Sequence, residues 1–275
     1  MNCNTYHILG KKVEITLKDE TIIPETFGDF ISLDNDEGIQ IAFESNAEEK
    51  GCYGIGYLAE QNKKLKNVFF SQKDRSQLLY AYEDDYSDLK LQIDDACTKE
   101  ILSELLMAGF YSYVSVEDSL LLHASAVRHK DQAIVFVAAS GTGKTTQAEL
   151  WAKYKEADIL NGDKVFLKKE DEQIRAWGSP WSGSSPYAKN ASAPLSAILV
   201  LEQAKENSIQ KLSDFEILEK VVPHVFFPNW DSECERSVLA FLDEVLCSID
   251  VYLLKCRPDE DAVRLVESIL FEKIL

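Results

Sequence analysis

The sequence predicts an α/β fold, with a β-rich N-terminal portion over residues 1–95 and a core of alternating strands and helices over 96–275. Three observations carry this. Apolar and polar residues alternate with a period of two in the first third, as at Val13, Ile15 and Leu17. Apolar runs of strand length, AIVFVA from 133 and SAILVLE from 196, then alternate with segments of helical period. Between the first of those runs and a helix lies the glycine-bearing stretch ASGTGKTT, 139–146.

The elements follow in order. GIQIAF (38–43) and CYGIGYLA (52–59) read as further strands of the N-terminal portion. The turns LDNDEG (33–38) and ESNAEEKG (44–51) separate them. The acidic segment 82–95 reads as a solvated loop leading into a strand. Over 98–113, Ile101, Leu102, Leu105, Leu106 and Ala108 recur at helical spacing and make one buried face. SLLLHASAVR is a strand, HKDQ a turn and AIVFVA a fully apolar strand. A helix opens in SGTGKTTQAELWAKYK, and ADILNGD is a short strand. KVFLKK and QIRAW flank the polar tip EDE as a hairpin. Helices follow around 212–222 and 231–247. The chain closes with the strand IDVYLLKC and a helix with Pro258 near its first turn. No internal repeat or low-complexity segment interrupts this order.

Composition narrows the partners. Among 275 residues, 47 acidic against 29 basic side chains give a formal charge of −18. Affinity for phosphate backbones comes mainly from Lys and Arg, so nucleic acid and anionic membranes are excluded as partners. Any site for an anion must build its positive potential locally, as a helix N-terminus with a lysine does. The six cysteines form no C-x-x-C pair, in keeping with reduced thiols. The segment MNCNTYHILGKK carries no apolar signal. No run approaches the roughly 18 apolar residues that span a bilayer. The expectation is a cytoplasmic protein.

Residues 138–145 match the phosphate-loop pattern G-x-x-x-x-G-K-[ST] except in its first place, where Ala138 stands. The setting is the one the pattern requires, because an apolar strand feeds the loop and a helix leaves it. Gly141 and Gly143 leave the backbone bare where N–H groups turn toward phosphate oxygens. Lys144 supplies charge for the β- and γ-phosphates, and Thr145 a hydroxyl for Mg²⁺. Ser140, Gly141, Thr142, Gly143, Lys144, Thr145 and Thr146 are the nucleotide-binding candidates. At Ala138 a side chain costs little if φ is negative, and about 1–2 kcal/mol if the residue is left-handed.

LLHASAV (121–127), SGTGKTT (140–146) and NGD (161–163) together resemble the HPr kinase / phosphoenolpyruvate carboxykinase superfamily. The likeness covers residues 115–202 best and is nearest to the small bacterial HPr-kinase-like proteins. The stretch from AWGSPWSGSSPYAKN to the strand SAILVLE shares it. It implies a P-loop kinase core, ATP and Mg as cofactors, and an acceptor bearing a hydroxyl group on a protein, a peptide or a small molecule. In HPr kinases a histidine lies on the strand before the loop, about twenty residues before the lysine; here His123 precedes Lys144 by 144 − 123 = 21. Both branches end the following strand with paired aspartates, and this chain reads Asn161-Gly162-Asp163, keeping only the second. Relatives of this kind often form homo-oligomers.

The candidate catalytic residues are therefore Asp163, Lys144 and His123, with Thr145 and Asp163 as candidate metal ligands. Asp163 would hold Mg²⁺ or take the proton of the attacking hydroxyl. His123 would donate to the γ-phosphate or polarise the nucleophile. The loop 178–190 offers Trp181 as a pocket wall and Lys189 and Asn190 as substrate contacts. Arg257 follows the strand VYLLKC at the end where α/β folds place ligands. The leading expectation is an ATP- and Mg-dependent kinase acting on a serine or serine-like hydroxyl. A nucleotide-binding regulatory protein with decayed catalysis is the alternative, motivated by Ala138 and Gly162. Carboxykinase-type chemistry stands third, since no matched set of carboxykinase metal and oxaloacetate residues appears beyond the loop and Asp163.

Overall fold

The computed structural model describes residues 2–32, 40–45, 65–82 and 86–272. The expected strand at 52–59 and most of the turns at 33–38 and 44–51 lie outside the described residues. The chain is a mixed α/β protein that forms two compact units, Met1–Val116 with Pro228–Glu235, and Glu117–Phe227 with Arg236–Leu275.

The first unit holds six strands: β1 Asn2–Ile8, β2 Lys11–Leu17, β3 Ile41–Ser45, β4 Leu65–Phe70, β5 Leu78–Tyr82 and β6 Asp88–Gln92. Their order in the sheet is β1-β2-β3-β6-β5-β4. The alternation seen in the sequence sets the face, since Val13, Ile15 and Leu17 are all buried. Helix α1, Lys99–Val114, starts at Thr98, whose hydroxyl accepts from the Ile101 N–H. Ile101, Leu102, Leu105 and Leu106 are buried as their spacing requires, while Ala108 is only half-buried. Gly109 lets the helix close on the sheet, because a Cβ there would meet Leu89 at 2.8 Å and Phe43 at 2.9 Å. This helix, placed by the sequence reading at the head of the second portion, clusters with the N-terminal sheet. The returning segment is fixed by Trp230 Nε1 donating to Ser112 Oγ at 2.9 Å and Tyr86 OH donating to Asp231 Oδ2 at 2.6 Å.

The second unit is built on β7 Ser119–His129, β8 Gln132–Val137, α2 Lys144–Lys155, β9 Asp158–Asn161, β10 Lys164–Glu170, β11 Gln173–Trp177 and β12 Ser192–Gln203. It continues with β13 Ser208–Lys211, α3 Asp214–Val221 and β14 Val225–Phe226, then α4 Ser232–Ser248, β15 Asp250–Cys256 and α5 Glu260–Leu270. The sheet order is β11-β10-β7-β8-β12-β15-β13, and β11 also pairs with β12. Two-residue turns at Lys130–Asp131 and Asp171–Glu172, all at positive φ, close the hairpins expected from the sequence. β8, β12 and β15 run parallel. Their apolar side chains meet α2 and α5 in a core that includes Phe136, Trp151, Leu199, Leu254 and Val263. Strands β13 and β14 have no counterpart in the sequence reading. Among the described residues, no helix is long and apolar enough to cross a membrane.

β7 is long enough to change neighbours along its length. On one side β9 gives way to β10, which pairs Lys164 with His123. On the other side β8 ends with Val137 opposite Ala124, and β14 begins with Val225 opposite Leu122. His123 therefore lies at a gap in the sheet, at the place where the chain leaves β8 for the glycine loop. Crevices at such switch points are where α/β sheets hold ligands.

Candidate functional site

The glycine loop runs from Ala138 to Gly143 and hands directly into α2. Gly141 and Gly143 have φ of +78° and +119°, a region that side chains rarely adopt. Ala138 is absent from the residues with positive φ, and its methyl is buried in the core. Alanine is thus unstrained in the place where the pattern has glycine. Gly143 caps α2 with no side-chain hydrogen bond. The first-turn N–H groups of α2 therefore face outward with the positive end of the helix dipole. The Thr142 N–H bonds to the Ala139 carbonyl at 3.2 Å, and Gln203 Nε2 donates to the Thr142 carbonyl at 3.2 Å.

Lys144 is 6% exposed and folds back over the loop, its Nζ donating to the Ala138 carbonyl at 3.0 Å. Burial pulls its pKa down, while Asp163 acts in the opposite direction. Two bonds lock α2 against the neighbouring strands: Ser125 Oγ donates to the Lys144 carbonyl at 2.8 Å, and Thr145 Oγ1 to the Gly162 carbonyl at 3.2 Å. The second places the Thr145 hydroxyl beside the turn that carries Asp163. The Asp163 carboxylate meets His123 Nε2 at 3.1 Å through Oδ1 and Lys164 Nζ at 2.7 Å through Oδ2. Burial, and then the positive charge of Lys144, holds the His123 pKa below the ordinary histidine value, against the attraction of Asp163. In its neutral form His123 would donate its Nε2–H to Asp163 and leave Nδ1 as an acceptor.

Asn161 organises the turn from below. It is fully buried, and its Oδ1 accepts from the N–H groups of Asp163 and Lys164, both at 2.8 Å. Its Nδ2 donates to the carbonyls of Ser179 at 2.8 Å and Trp181 at 3.2 Å. The amide spends donors and acceptor alike, which a carboxylate could not do. Loop 178–189 lies close enough to this turn that glycine is required on both sides. A Cβ at Gly162 would lie 1.9 Å from Ser185 Oγ, and one at Gly183 2.7 Å from Asp163 Oδ2.

Lys144, Thr145, Asp163 and His123 thus come together as one cluster, with Ser140, Gly141, Thr142, Gly143 and Thr146 lining the loop. The other candidates sit elsewhere. Trp181 is buried with its ring against Phe166 and does not line an open wall. Lys189 pairs with Asp158 at the far end of β9, Asn190 is exposed, and Arg257 pairs with Asp259. Two residues of the cluster were not expected. Lys164 is bonded to the central carboxylate. His224 has a pKa lowered by burial and then by Lys144 and His123, which places it in their electrostatic reach. Neither stands in a motif; only the register around β7 brings them in.

No family model matches this chain, and no curated protein matches it. Among solved structures it is similar to the HPr(Ser) kinase/phosphatase from Coxiella burnetii, with a TM-score of 0.32 and 10% identity over 54% of this chain and 87% of that one. That is a distant structural relationship.

Proposed function

We propose that the chain is an ATP- and Mg-dependent kinase that transfers the γ-phosphoryl group to a hydroxyl acceptor, a serine or serine-like group on a peptide, a protein or a small molecule. The observation that carries this reading is the meeting of a glycine loop at a helix N-terminus, a buried lysine and one carboxylate held by a histidine. Phosphoryl transfer asks for positioning and charge neutralisation more than for covalent help. Backbone N–H groups of 141–146 would receive the phosphates, and Lys144 would leave the Ala138 carbonyl for them. As the acceptor oxygen bonds to phosphorus and the bond to the ADP oxygen breaks, the acceptor's proton passes to Asp163. His123 holds that carboxylate in place.

The residues present fit a divalent cation of the Mg²⁺ kind. Among the described residues no cluster of three or more His, Cys, Asp or Glu makes a cage. Mg²⁺ needs only one or two protein oxygens beside water and phosphate. The Thr145 hydroxyl and the Asp163 carboxylate would be those oxygens, on neighbouring elements joined by the Thr145–Gly162 bond. When bound, the ion neutralises charge on the phosphates.

One observation favours a second reading, a nucleotide-binding regulator. Gly162, where the resemblance expects the first aspartate of the pair, carries no side chain, and Asn161 beside it is a structural amide, so the site has a single carboxylate for both metal and proton. Titration of wild type, Lys144→Ala and Asp163→Asn with ATP and Mg²⁺, followed by γ-phosphate transfer to serine, small hydroxy compounds and serine peptides, separates the two. The kinase reading expects Lys144→Ala to bind at least tenfold more weakly, and Asp163→Asn to bind without transferring. Wild type that binds tightly but transfers to nothing, under conditions of full occupancy, supports the regulator. Absence of binding removes both.

A further inference from the structure

We infer that His224 is a third side chain of the anion site, donating a ring N–H to the phosphoryl group that Lys144 and the glycine loop receive. The inference rests on the phosphate-site reading above and adds a residue to it. The argument is one of register. β8 pairs antiparallel with β7 through Val137 and Ala124, so one step further Ala138 would face His123. β14 pairs with the same edge through Val225 and Leu122, so one step back His224 would also face His123. Two chain segments converge on one position of the sheet and must diverge there. One leaves as the glycine loop, and the other arrives from the short turn Val222–His224. His224 therefore sits beside Ala138, whose carbonyl holds Lys144 Nζ at 3.0 Å.

The chemistry of that place is one-sided. His224 is half-buried, and the groups that act on it are Lys144 and His123, both of which disfavour its protonation. Behind His123 stand Asp163 and Lys164, and the carboxylate is already engaged by both His123 and Lys164. Among the described residues none hydrogen-bonds the His224 ring. A neutral imidazole beside an ammonium group gains from an anion placed between them. The anion offsets the lysine charge and accepts the ring N–H. Binding should then raise the affinity of the ring for a proton, because an opposite charge favours the charged form. Anion binding and proton uptake are linked, and affinity strengthens as pH falls through the histidine range.

The test uses inorganic pyrophosphate and ATP, each with Mg²⁺, on the whole chain. Calorimetry at pH 6.5 in buffers of different ionisation heat reads affinity and proton uptake together. The wild type should take up protons on binding. His224→Gln should bind about tenfold more weakly, as expected for one charge-assisted hydrogen bond, and take up fewer protons than wild type. His123→Gln should keep the share of uptake that belongs to His224. Equal affinity and equal uptake in His224→Gln overturn the inference while leaving the phosphate site standing. Failure of wild type to bind either probe overturns both. Should His224→Gln fold poorly, the imidazole resonance of His224 in wild type decides. Its pKa must rise when pyrophosphate is added, and an unmoved titration overturns the inference.

Discussion

Replacing Asn161 with aspartate tests the account of the turn that carries Asp163. The change is isosteric and adds an acidic residue two positions before Asp163. The structure predicts that it damages the protein. Asn161 is fully buried, and its Nδ2 faces the carbonyl oxygens of Ser179 and Trp181 at 2.8 and 3.2 Å. A carboxylate would set an oxygen against two others. It would have to take a proton, and even then one donor could serve only one of the two carbonyls. Holding an aspartate neutral at pH 7 against an ordinary pKa of about 3.9 costs up to about 4 kcal/mol at 1.36 kcal/mol per unit. One carbonyl left without a partner adds about 1–3 kcal/mol. A carboxyl whose folded pKa is raised destabilises above its unfolded pKa, so the penalty grows as pH rises from about 4. Urea unfolding of wild type and Asn161→Asp at pH 4.5 and 7.5 reads both parts. Asn161→Asp should lose several kcal/mol at pH 7.5 and recover most of the loss, relative to wild type, at pH 4.5. A variant within 1 kcal/mol of wild type at pH 7.5, or a penalty that does not change with pH, would refute the reasoning.

Ala138→Gly should leave ATP affinity within twofold of wild type and lower stability by about 1 kcal/mol, read by parallel binding and unfolding curves, because Ala138 is unstrained and its buried methyl packs in the core. Gly183→Ala should keep nucleotide binding but reduce phosphoryl transfer at least tenfold in initial-rate assays, since its Cβ would lie 2.7 Å from Asp163 Oδ2 at a φ of +60°. Glu267 marks the acid side of the stability profile. Burial would raise its carboxyl, but hydrogen bonds from Lys155, Lys130 and His129 hold it at about 2. A depressed carboxyl stabilises above its unfolded value and is lost as pH falls from about 4.5 to about 2. Glu267→Gln should therefore cost on the order of 3 kcal/mol at pH 7 and flatten the acid limb of thermal melting curves.

How far the sequence could be read depended on whether a residue's role is local. The helix at 99–114 and the strand around 13–17 were legible because burial repeats with the backbone period, and the strands around 119–129 and 250–256 because they are apolar runs of strand length. Gly141 and Gly143 were legible because their need for positive φ is intrinsic to the loop. Asn161 was not, because its role comes from carbonyls eighteen and twenty residues away, at Ser179 and Trp181. Gly162 and Gly183 have the same history, each required by what packs against it. Lys189 and Arg257 read as ligand contacts in the sequence, and each is engaged by a carboxylate, Asp158 and Asp259. Trp181 read as the wall of a pocket and lies in the core. His224 follows a proline turn and precedes a strand of two residues, too short to show any period. Only its register against β7 places it.

The same distinction between local and global explains how a chain of charge −18 could hold the proposed anion site. At physiological ionic strength, fields between exposed charges decay over about 8 Å, while half-buried charges are screened less. What would act on a phosphate at the gap in β7 is then the immediate set: the N-terminus of α2, Lys144 and Lys164 as positive groups, with two histidines as ring donors, against the carboxylate of Asp163. That set is positive although the molecule is negative. The amide at Asn161 now has an electrostatic meaning as well as a structural one. An aspartate beneath Asp163 would cancel part of the local potential wherever it kept its charge, and would leave a carbonyl unpaired where it took a proton. With an amide there, the turn keeps its hydrogen bonds and the proposed site would keep its sign.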